Sequence, residues 1–350
     1  MPTVAAEYLT NLVDTIFARA GVPASEARIV ANSLVTSNLM GLDSHGVIRV
    51  MQYLDLIEKG GLNPSGRLEI VTDAPAMVIA RGNWGFGMVV ARQATELAIE
   101  RATQYGIAAV SVGDCNHVGR VGEFTSMVAE HNMMGLATAN GHGAAQRVVP
   151  WGGIEHRLGT NPISFAVPSG RQHPIVVDMA TSVTAEGKVR VARNKGKRLP
   201  EAWIVSASGE LSSDPNDLDG PPPGSLLPLG GFVGYKGYAL SVMVDIMSGG
   251  LSSAGTSRAG QTRIGNGFYV QAIDIKRFLP EQEFTRRMEE FAGHLESAAL
   301  APGFSHIMLP GDPEYDTMAA RQRDGIAIDD ETWRQLAGRA LKLGVKAQGD

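Results

Sequence analysis

The residues best placed to do chemistry gather in three short segments. In Gly113-Asp114-Cys115-Asn116-His117-Val118-Gly119-Arg120, a histidine stands between glycines where a strand should hand over to a helix. An imidazole that titrates near neutral pH at the mouth of a cleft can take the proton of a hydroxyl group as a general base. The second segment is Asp43-Ser44-His45-Gly46-Val47-Ile48-Arg49. Helical spacing would bring Ser44 or His45 onto the face of Arg49 at the start of a helix. An arginine fork grips a carboxylate through two parallel hydrogen bonds, and a helix amino end adds partial positive charge, so this cluster suits a small anionic substrate. The third is Leu158-Gly159-Thr160-Asn161-Pro162 with Val177-Asp178-Met179-Ala180-Thr181-Ser182. There a strand ends in a carboxylate that could accept bonds from a ribose or an imidazole. Each segment alone also has a plainer reading: a lone structural histidine, a helix cap beside a surface arginine, a strand end.

Other chemistries fit less well. Neither H-E-x-x-H nor paired Cys and His spacings occur, which disfavours a metal centre, and no G-x-S-x-G elbow is present for a serine hydrolase. The one candidate for a dinucleotide fingerprint, Gly82-Asn83-Trp84-Gly85-Phe86-Gly87, places Val90 where a third small residue is needed, and Trp84 and Phe86 would crowd a pyrophosphate. A strand-to-helix turn is the preferred reading of it.

The elements that must position these residues follow from periodicity. From Val4 to Lys59 the pattern is helical: a stripe of Leu9, Leu12, Val13, Ile16 and Phe17, a second helix opened by Pro23, and a third carrying Val47, Val50, Met51, Leu54 and Ile57 behind the caps Asp43 and Ser44. Three helices are thus expected before any strand. Beyond Gly61, β-branched runs at 77–81, 107–112, 136–139, 163–167 and 175–177 alternate with helices at 87–105 and 122–132. The stretch 214–228, with three consecutive prolines, reads as an exposed irregular crossing. A strongly apolar run at 238–248 predicts a buried helix, the Gly-rich 249–267 a mobile loop, 268–275 a strand, and 281–299 an amphipathic helix, with two more helices closing the chain.

The 350 residues exceed what one core holds, and the expected division is a helix-rich unit of 1–70 with 310–350 and a sheet-containing unit of 71–309. A net charge of -5 with scattered Lys and Arg argues against a nucleic-acid partner. A single cysteine, Cys115, rules out an internal disulfide framework, no apolar run is long enough for a membrane span, and the amino terminus lacks the marks of a secretory signal. A cytoplasmic protein is expected.

Taken in order, the segments resemble the malate/L-lactate dehydrogenase family of the second, non-Rossmann type. The likeness runs from Ser44-His45-Gly46-Val47 and Arg49 through Asn116-His117-Val118-Gly119, Val149-Pro150-Trp151-Gly152-Gly153, Gly159-Thr160-Asn161-Pro162 and Asp178 to Ser182. It continues through Glu186-Gly187-Lys188-Val189, Asp214-Pro215, Tyr235-Lys236-Gly237-Tyr238 and Pro310-Gly311. The resemblance implies an α/β (α+β) fold: a non-Rossmann cofactor domain on a largely antiparallel sheet, plus a helix-rich domain made from both chain ends. It also implies a homodimer and NAD or NADP as cofactor. His117 would be the acid/base, with Ser44, His45 and Arg49 in the substrate pocket and Asn140, Thr160 and Asn161 binding substrate. Val118, Gly119, Arg120, Val121, Asp178, Met179, Ala180, Lys236, Gly237, Pro310, Gly311 and Asp312 would contact the cofactor. In cyclic-imine reductases of this kind an aspartate follows the glycine that matches Gly187 and completes a Ser-His-Asp relay. Lys188 stands there here, which favours interconversion of a small 2-hydroxy acid and 2-oxo acid over imine reduction through Ser44 and His45. A non-catalytic nucleotide-binding protein is the alternative of another class. Arg190, Arg193, Lys195 and Lys197 could hold a 2'-phosphate or form a solvated basic face.

Overall fold

A computed structural model describes residues 1–194 and 196–347. The expected start is modified by β1 (Thr3–Val4), which precedes α1 (Ala6–Arg19), α2 (Ala24–Leu39) and α3 (Val50–Glu58). Then come β2 (Glu69–Asp73), β3 (Met77–Arg81), α4 (Gly87–Tyr105), β4 (Ile107–Cys115), α5 (Gly122–Glu130), β5 (Met133–Asn140), β6 (Ile163–Val167) and β7 (Ile175–Met179). The remainder is α6 (Glu186–Asn194), β8 (Ile204–Val205), β9 (Leu211–Ser212), β10 (Ser225–Leu226), α7 (Tyr235–Asp245), β11 (Asn266–Asp274), α8 (Glu281–Glu296), α9 (Asp312–Asp324), β12 (Ile326–Ala327) and α10 (Asp330–Lys342).

Seven strands form one sheet in the order β2-β3-β4-β11-β5-β6-β7, antiparallel at every pairing except β3 with β4. The parallel pair requires a crossover, and α4 provides it. Val78, Ala80, Val110, Val112, Val270, Phe268 and Ala137 point from one face into a core closed by α4 and α5. On the other face Met77, Ile79, Ile107 and Phe165 remain exposed. The mixed α/β, largely antiparallel architecture is therefore the one the resemblance implied.

A second core joins the two chain ends: Leu9, Leu12, Ile16 and Phe17 of α1 and Leu34 of α2 bury against Ile326, Leu336 and Ala340. The two-residue pair β1 with β12 closes it, a strand that helical periodicity at the amino end does not announce. A third, smaller core gathers Val148, Leu158, Val189, Ile204, Leu218 and Leu226 around the sheet β10-β8-β9. The 214–228 stretch is accordingly not a mere exposed crossing: Pro215, Leu218 and Leu226 are buried, while Asn216 and the tip from Asp219 to Pro223 face solvent. Two further expectations change. The apolar run around α7 buries one side but exposes Tyr235, Met243 and Ile246 on the other. The 249–267 loop is tethered along its length: Ser253 Oγ donates to Asp114, Ser257 N to Asp245, and Asn140 Nδ2 to the Gly255 carbonyl, while the Arg263 guanidinium lies 3.2 Å from the Trp84 ring centroid.

Candidate active site

Glycine at the head of α4 makes the site possible. A Cβ on Gly87 would fall 2.1 Å from the Asn116 carbonyl oxygen and 2.5 Å from the backbone of His117, so only glycine lets this strand end lie against the helix. The segment that failed as a phosphate cradle thus serves backbone-on-backbone packing. Asn116 Nδ2 donates to the Trp84 carbonyl at 2.7 Å, and Val118 N donates to Asn266 Oδ1 at 2.9 Å, which fixes His117 from both sides.

The second segment is brought up to it by α2 and α3. Asn38 Oδ1 accepts from Val47 N at 2.8 Å and Asn38 Nδ2 donates to Asp43 at 2.7 Å; a Cβ on Gly46 would collide with that amide. Residues 43–45 and 47–49 form two separate 3-10 turns broken at extended Gly46, so Ser44, His45 and Arg49 do not share one helix face as their spacing suggested. They meet nevertheless. Arg49 Nε donates to the Ser44 carbonyl at 2.7 Å and Nη1 to Gln52 Oε1 at 2.8 Å, with no carboxylate partner among the described residues and donors left over. Ser44 Oγ and His45 Nδ1 are 3.1 Å apart, and the His45 ring stacks on that of His117 at 5.7 Å between centroids.

Tyr53, which sequence reading passed over, completes the group. Its hydroxyl lies 2.8 Å from His117 Nδ1, and Nε2 has no hydrogen-bond partner among the described residues. Its signal was available: it follows Arg49 by four positions, one helical turn along α3. Burial raises the Tyr53 phenol, so it stays protonated. The histidines depart from the expected neutral titration. Burial first, then Arg49 and His45, hold His117 well below the usual 6.5, and burial with Arg49 and Arg120 brings His45 down to about 4. Both rings are neutral at pH 7, the form that accepts a proton.

Beside this cluster lies a cavity of about 420 Å³ lined by Leu42, Arg120, Asp178, Met179, Pro310 and Gly311 among others. Asp178 Oδ2 accepts from Gly122 N at 2.9 Å and stands 3.9 Å from the Arg120 guanidinium; burial raises its carboxyl. The buried Arg120 Nε has no partner among the described residues. The returning chain end is strapped to β7 where Val176 N donates to the Pro310 carbonyl at 2.9 Å, and Gly311 takes a φ of 101° that favours glycine. Gly119, with φ of 77°, and Val121 shape the loop that carries Arg120, and Ala180 follows Met179 half-buried.

The structure does not bring every expected residue to the cavity. Asp312 turns away, accepting from Leu309 N at 2.7 Å and facing His173 at 3.7 Å in a separate hollow. Lys236 is exposed at the head of α7 with its ammonium 5.8 Å from the Tyr235 ring centroid, and Gly237 packs on the Leu229 carbonyl; neither lines the cavity. Asn140 is buried with its amide committed: Nδ2 donates to Asp245 and the Gly255 carbonyl, and Oδ1 accepts from His142 N and Gly267 N. Thr160 and Asn161 hold the exit of β7, their carbonyls accepting from Thr181. Asn161 Nδ2 bonds to Ser241, leaving the buried Oδ1 without a partner among the described residues. Of the basic group at α6, Arg193 pairs with Asp219 and Lys195 lies outside the described residues.

The family described as malate/L-lactate dehydrogenase matches residues 4–337. The chain is 38% identical to malate dehydrogenase of Pyrococcus abyssi over 97% of this chain and 94% of that protein. It is 33% identical to L-sulfolactate dehydrogenase of Methanothermobacter thermautotrophicus over 99% and 98%. Among solved structures, delta1-piperideine-2-carboxylate reductase from Pseudomonas syringae superposes with a TM-score of 0.85 at 28% identity, covering 97% of this chain and 100% of that one. A matched family spanning nearly the whole sequence, with relatives above 30% identity over nearly the full length of both chains, places the chain in the malate/L-lactate dehydrogenase family, as a dehydrogenase acting on the CH–OH group of a hydroxy acid.

Proposed function

We propose that the protein interconverts a small 2-hydroxy acid and its 2-oxo acid with NAD or NADP, using His117 as acid/base and Arg49 to hold the substrate carboxylate. The observation that carries the reading is the 2.8 Å contact of Tyr53 with His117 Nδ1, which leaves the other ring nitrogen for a substrate, beside an Arg49 whose charge is felt at His117. In the oxidation direction neutral His117 takes the hydroxyl proton at Nε2 while Nδ1–H donates to the Tyr53 oxygen. In reduction the same imidazolium returns the proton to the carbonyl oxygen. A carboxylate on Arg49 offsets the positive field that depresses His117, so substrate binding itself makes the base stronger.

The cavity beside the cluster fits a nicotinamide cofactor in the chemistry of its donors: a half-buried carboxylate at Asp178 able to accept from a ribose, and a buried Arg120 N–H without a partner among the described residues, able to donate. When bound, that cofactor supplies the hydride acceptor or donor. Arg120, Asp178, Met179, Pro310 and Gly311 would hold it. A homodimer is part of the proposal, because the sheet face bearing Met77, Ile79, Ile107 and Phe165 leaves apolar area that a second copy would cover.

The imine alternative has the Ser44–His45 contact of 3.1 Å in its favour. The lysine at position 188 weighs against a carboxylate-ended relay there. One panel decides: 2-oxo acids and a cyclic imino acid, each with NADH and NADPH. Reduction of 2-oxo acids, lost by 10²-fold or more in His117→Ala, is the expected result. Full turnover by that variant would remove His117 from the role, and reduction of the imine alone would overturn the hydroxy-acid reading.

A further inference from the structure

Backbone strain is concentrated at one place. Among the described residues six non-glycines take a left-handed φ, and four of them meet behind the strand end that carries His117: Asn83 at 47°, Trp84 at 55°, Asp114 at 53° and His142 at 54°. Asn83 and Trp84 are the central pair of a tight turn, closed where Gly85 N donates to the Gly82 carbonyl at 2.8 Å. Two left-handed residues in succession suit Asn followed by Gly, and a tryptophan in the second place persists only if its surroundings enforce it. Those surroundings grip the ring. The Arg263 guanidinium, with no carboxylate partner among the described residues, lies 3.2 Å from its centroid, and the buried His142 ring is 4.9 Å away. His142 is held in turn by Asp114 at 3.3 Å, and Asp114 by Ser253 Oγ at 2.8 Å. The turn so held is what the strand end is stitched to. Trp84 N donates to the Asp114 carbonyl at 2.7 Å, the Trp84 carbonyl accepts from Asn116 Nδ2 at 2.7 Å, and Asn116 N donates to the Gly85 carbonyl at 3.1 Å. His117 is the next residue.

We propose that Trp84, clamped by Arg263 and His142, is a positioning residue: its ring holds the strained turn whose carbonyl fixes Asn116, and so sets where His117 stands. This rests on the reading of His117 as acid/base. Neither Trp84 nor Arg263 lines the cavity beside the cluster, so both act on the reaction through the strand end. The loop that supplies Arg263 also supplies Asn266, whose Oδ1 accepts from Val118 N at 2.9 Å. One segment thus grips the neighbours of His117 on both sides, through Trp84 and Asn116 before it and directly at Val118 after it.

The test measures kcat, KM and the pH profile of hydroxy-acid oxidation in the wild type, Trp84→Ala, Trp84→Gly, Arg263→Ala and Arg263→Lys. Alanine keeps the strain and loses the grip, so kcat should fall about tenfold or more in Trp84→Ala with KM little changed, because a small displacement of the proton carrier is costly. Glycine adopts the left-handed turn unaided, so Trp84→Gly should recover most of that loss. Arg263→Ala should move kcat in the same direction, and Arg263→Lys, which keeps a cation over the ring, should restore it. A loosened His117 gains water, relieving the burial that chiefly depresses it, so the acidic limb should move up toward 6.5. His45, Arg49 and Tyr53, the groups that face His117, stay in place in every variant. A mere loss of folded enzyme would lower the rate without moving the limb. If Trp84→Ala does not fold, Arg263→Ala, which removes an exposed side chain, carries the same test. A kcat within twofold of wild type with an unmoved limb, or a Trp84→Gly as impaired as Trp84→Ala, overturns the proposal while His117 keeps its role. Full turnover by His117→Ala overturns both.

Discussion

Tyr53→Phe removes one oxygen and little else, which makes it the sharpest probe of the proton-transfer geometry. The ring is 1% exposed and packs against Phe17 at 6.4 Å and edge-on to Phe86 at 5.8 Å, so phenylalanine fills the same space. What disappears is the 2.8 Å bond to His117 Nδ1. When His117 carries the transferred proton, that bond joins a charged donor to a neutral acceptor inside the protein, and such bonds are worth about 1.5–3 kcal/mol. The loss corresponds to roughly 10- to 150-fold in kcat/KM. The sign of the pH effect follows. The Tyr53 oxygen favours the imidazolium; without it His117, already held below 6.5 by burial, Arg49 and His45, falls further. The acidic limb of the kcat/KM profile for hydroxy-acid oxidation therefore moves to lower pH even as the plateau drops. Steady-state rates from pH 4.5 to 9, with circular dichroism to confirm the fold, would measure both. A plateau within twofold of wild type, or a limb that moves upward, would refute the assignment of Nδ1 to Tyr53.

Arg49→Lys keeps the charge but loses the fork, so KM for the acid should rise by roughly tenfold or more with a weaker effect on kcat; unchanged kinetics would mean the carboxylate binds elsewhere. His45 sits near 4 when folded against 6.5 when unfolded, so its contribution to stability is present above pH 6.5 and lost as pH falls toward 4. That shift amounts to about 3 kcal/mol. Glu123 and Asp178, raised by burial, act in the opposite sense, so the comparison to make is urea unfolding of wild type against His45→Gln at pH 7 and pH 4. The wild type should lose more stability than the variant between those pH values, and equal losses would show that His45 is not held neutral. Gly122→Ala places a Cβ 2.5 Å from Asp178 Oδ2 and 2.8 Å from the Arg120 guanidinium, displacing both. Overpacking of this kind costs about 1–3 kcal/mol, so NADH affinity measured by fluorescence should fall about tenfold or more, and an unaltered Kd would separate Asp178 from the cofactor site.

What the sequence made legible is what neighbouring residues decide. The expected spans 77–81, 87–105 and 163–167 coincide with β3, α4 and β6, because alternating burial along a strand and a capped apolar stripe along a helix are written within each segment. β2 escaped notice because all of Glu69–Asp73 is exposed, which leaves no alternation to read, and β1 because its partner Ile326–Ala327 lies at the other end of the chain. The site divides along the same line. Residue type and local spacing nominate His117 and Arg49 as candidates, yet the surroundings of His117 include Tyr53, 64 positions earlier, and a stacked His45. Asn140 shows the converse, an amide suited by type to a substrate but committed to Asp245, Gly255, His142 and Gly267. A motif therefore nominates a proton carrier, while its proton affinity is set by residues brought in from remote parts of the chain. The same imidazole exposed at a strand end would titrate near 6.5; buried under α3 beside Arg49 and His45, it is held well below that value, burial contributing most.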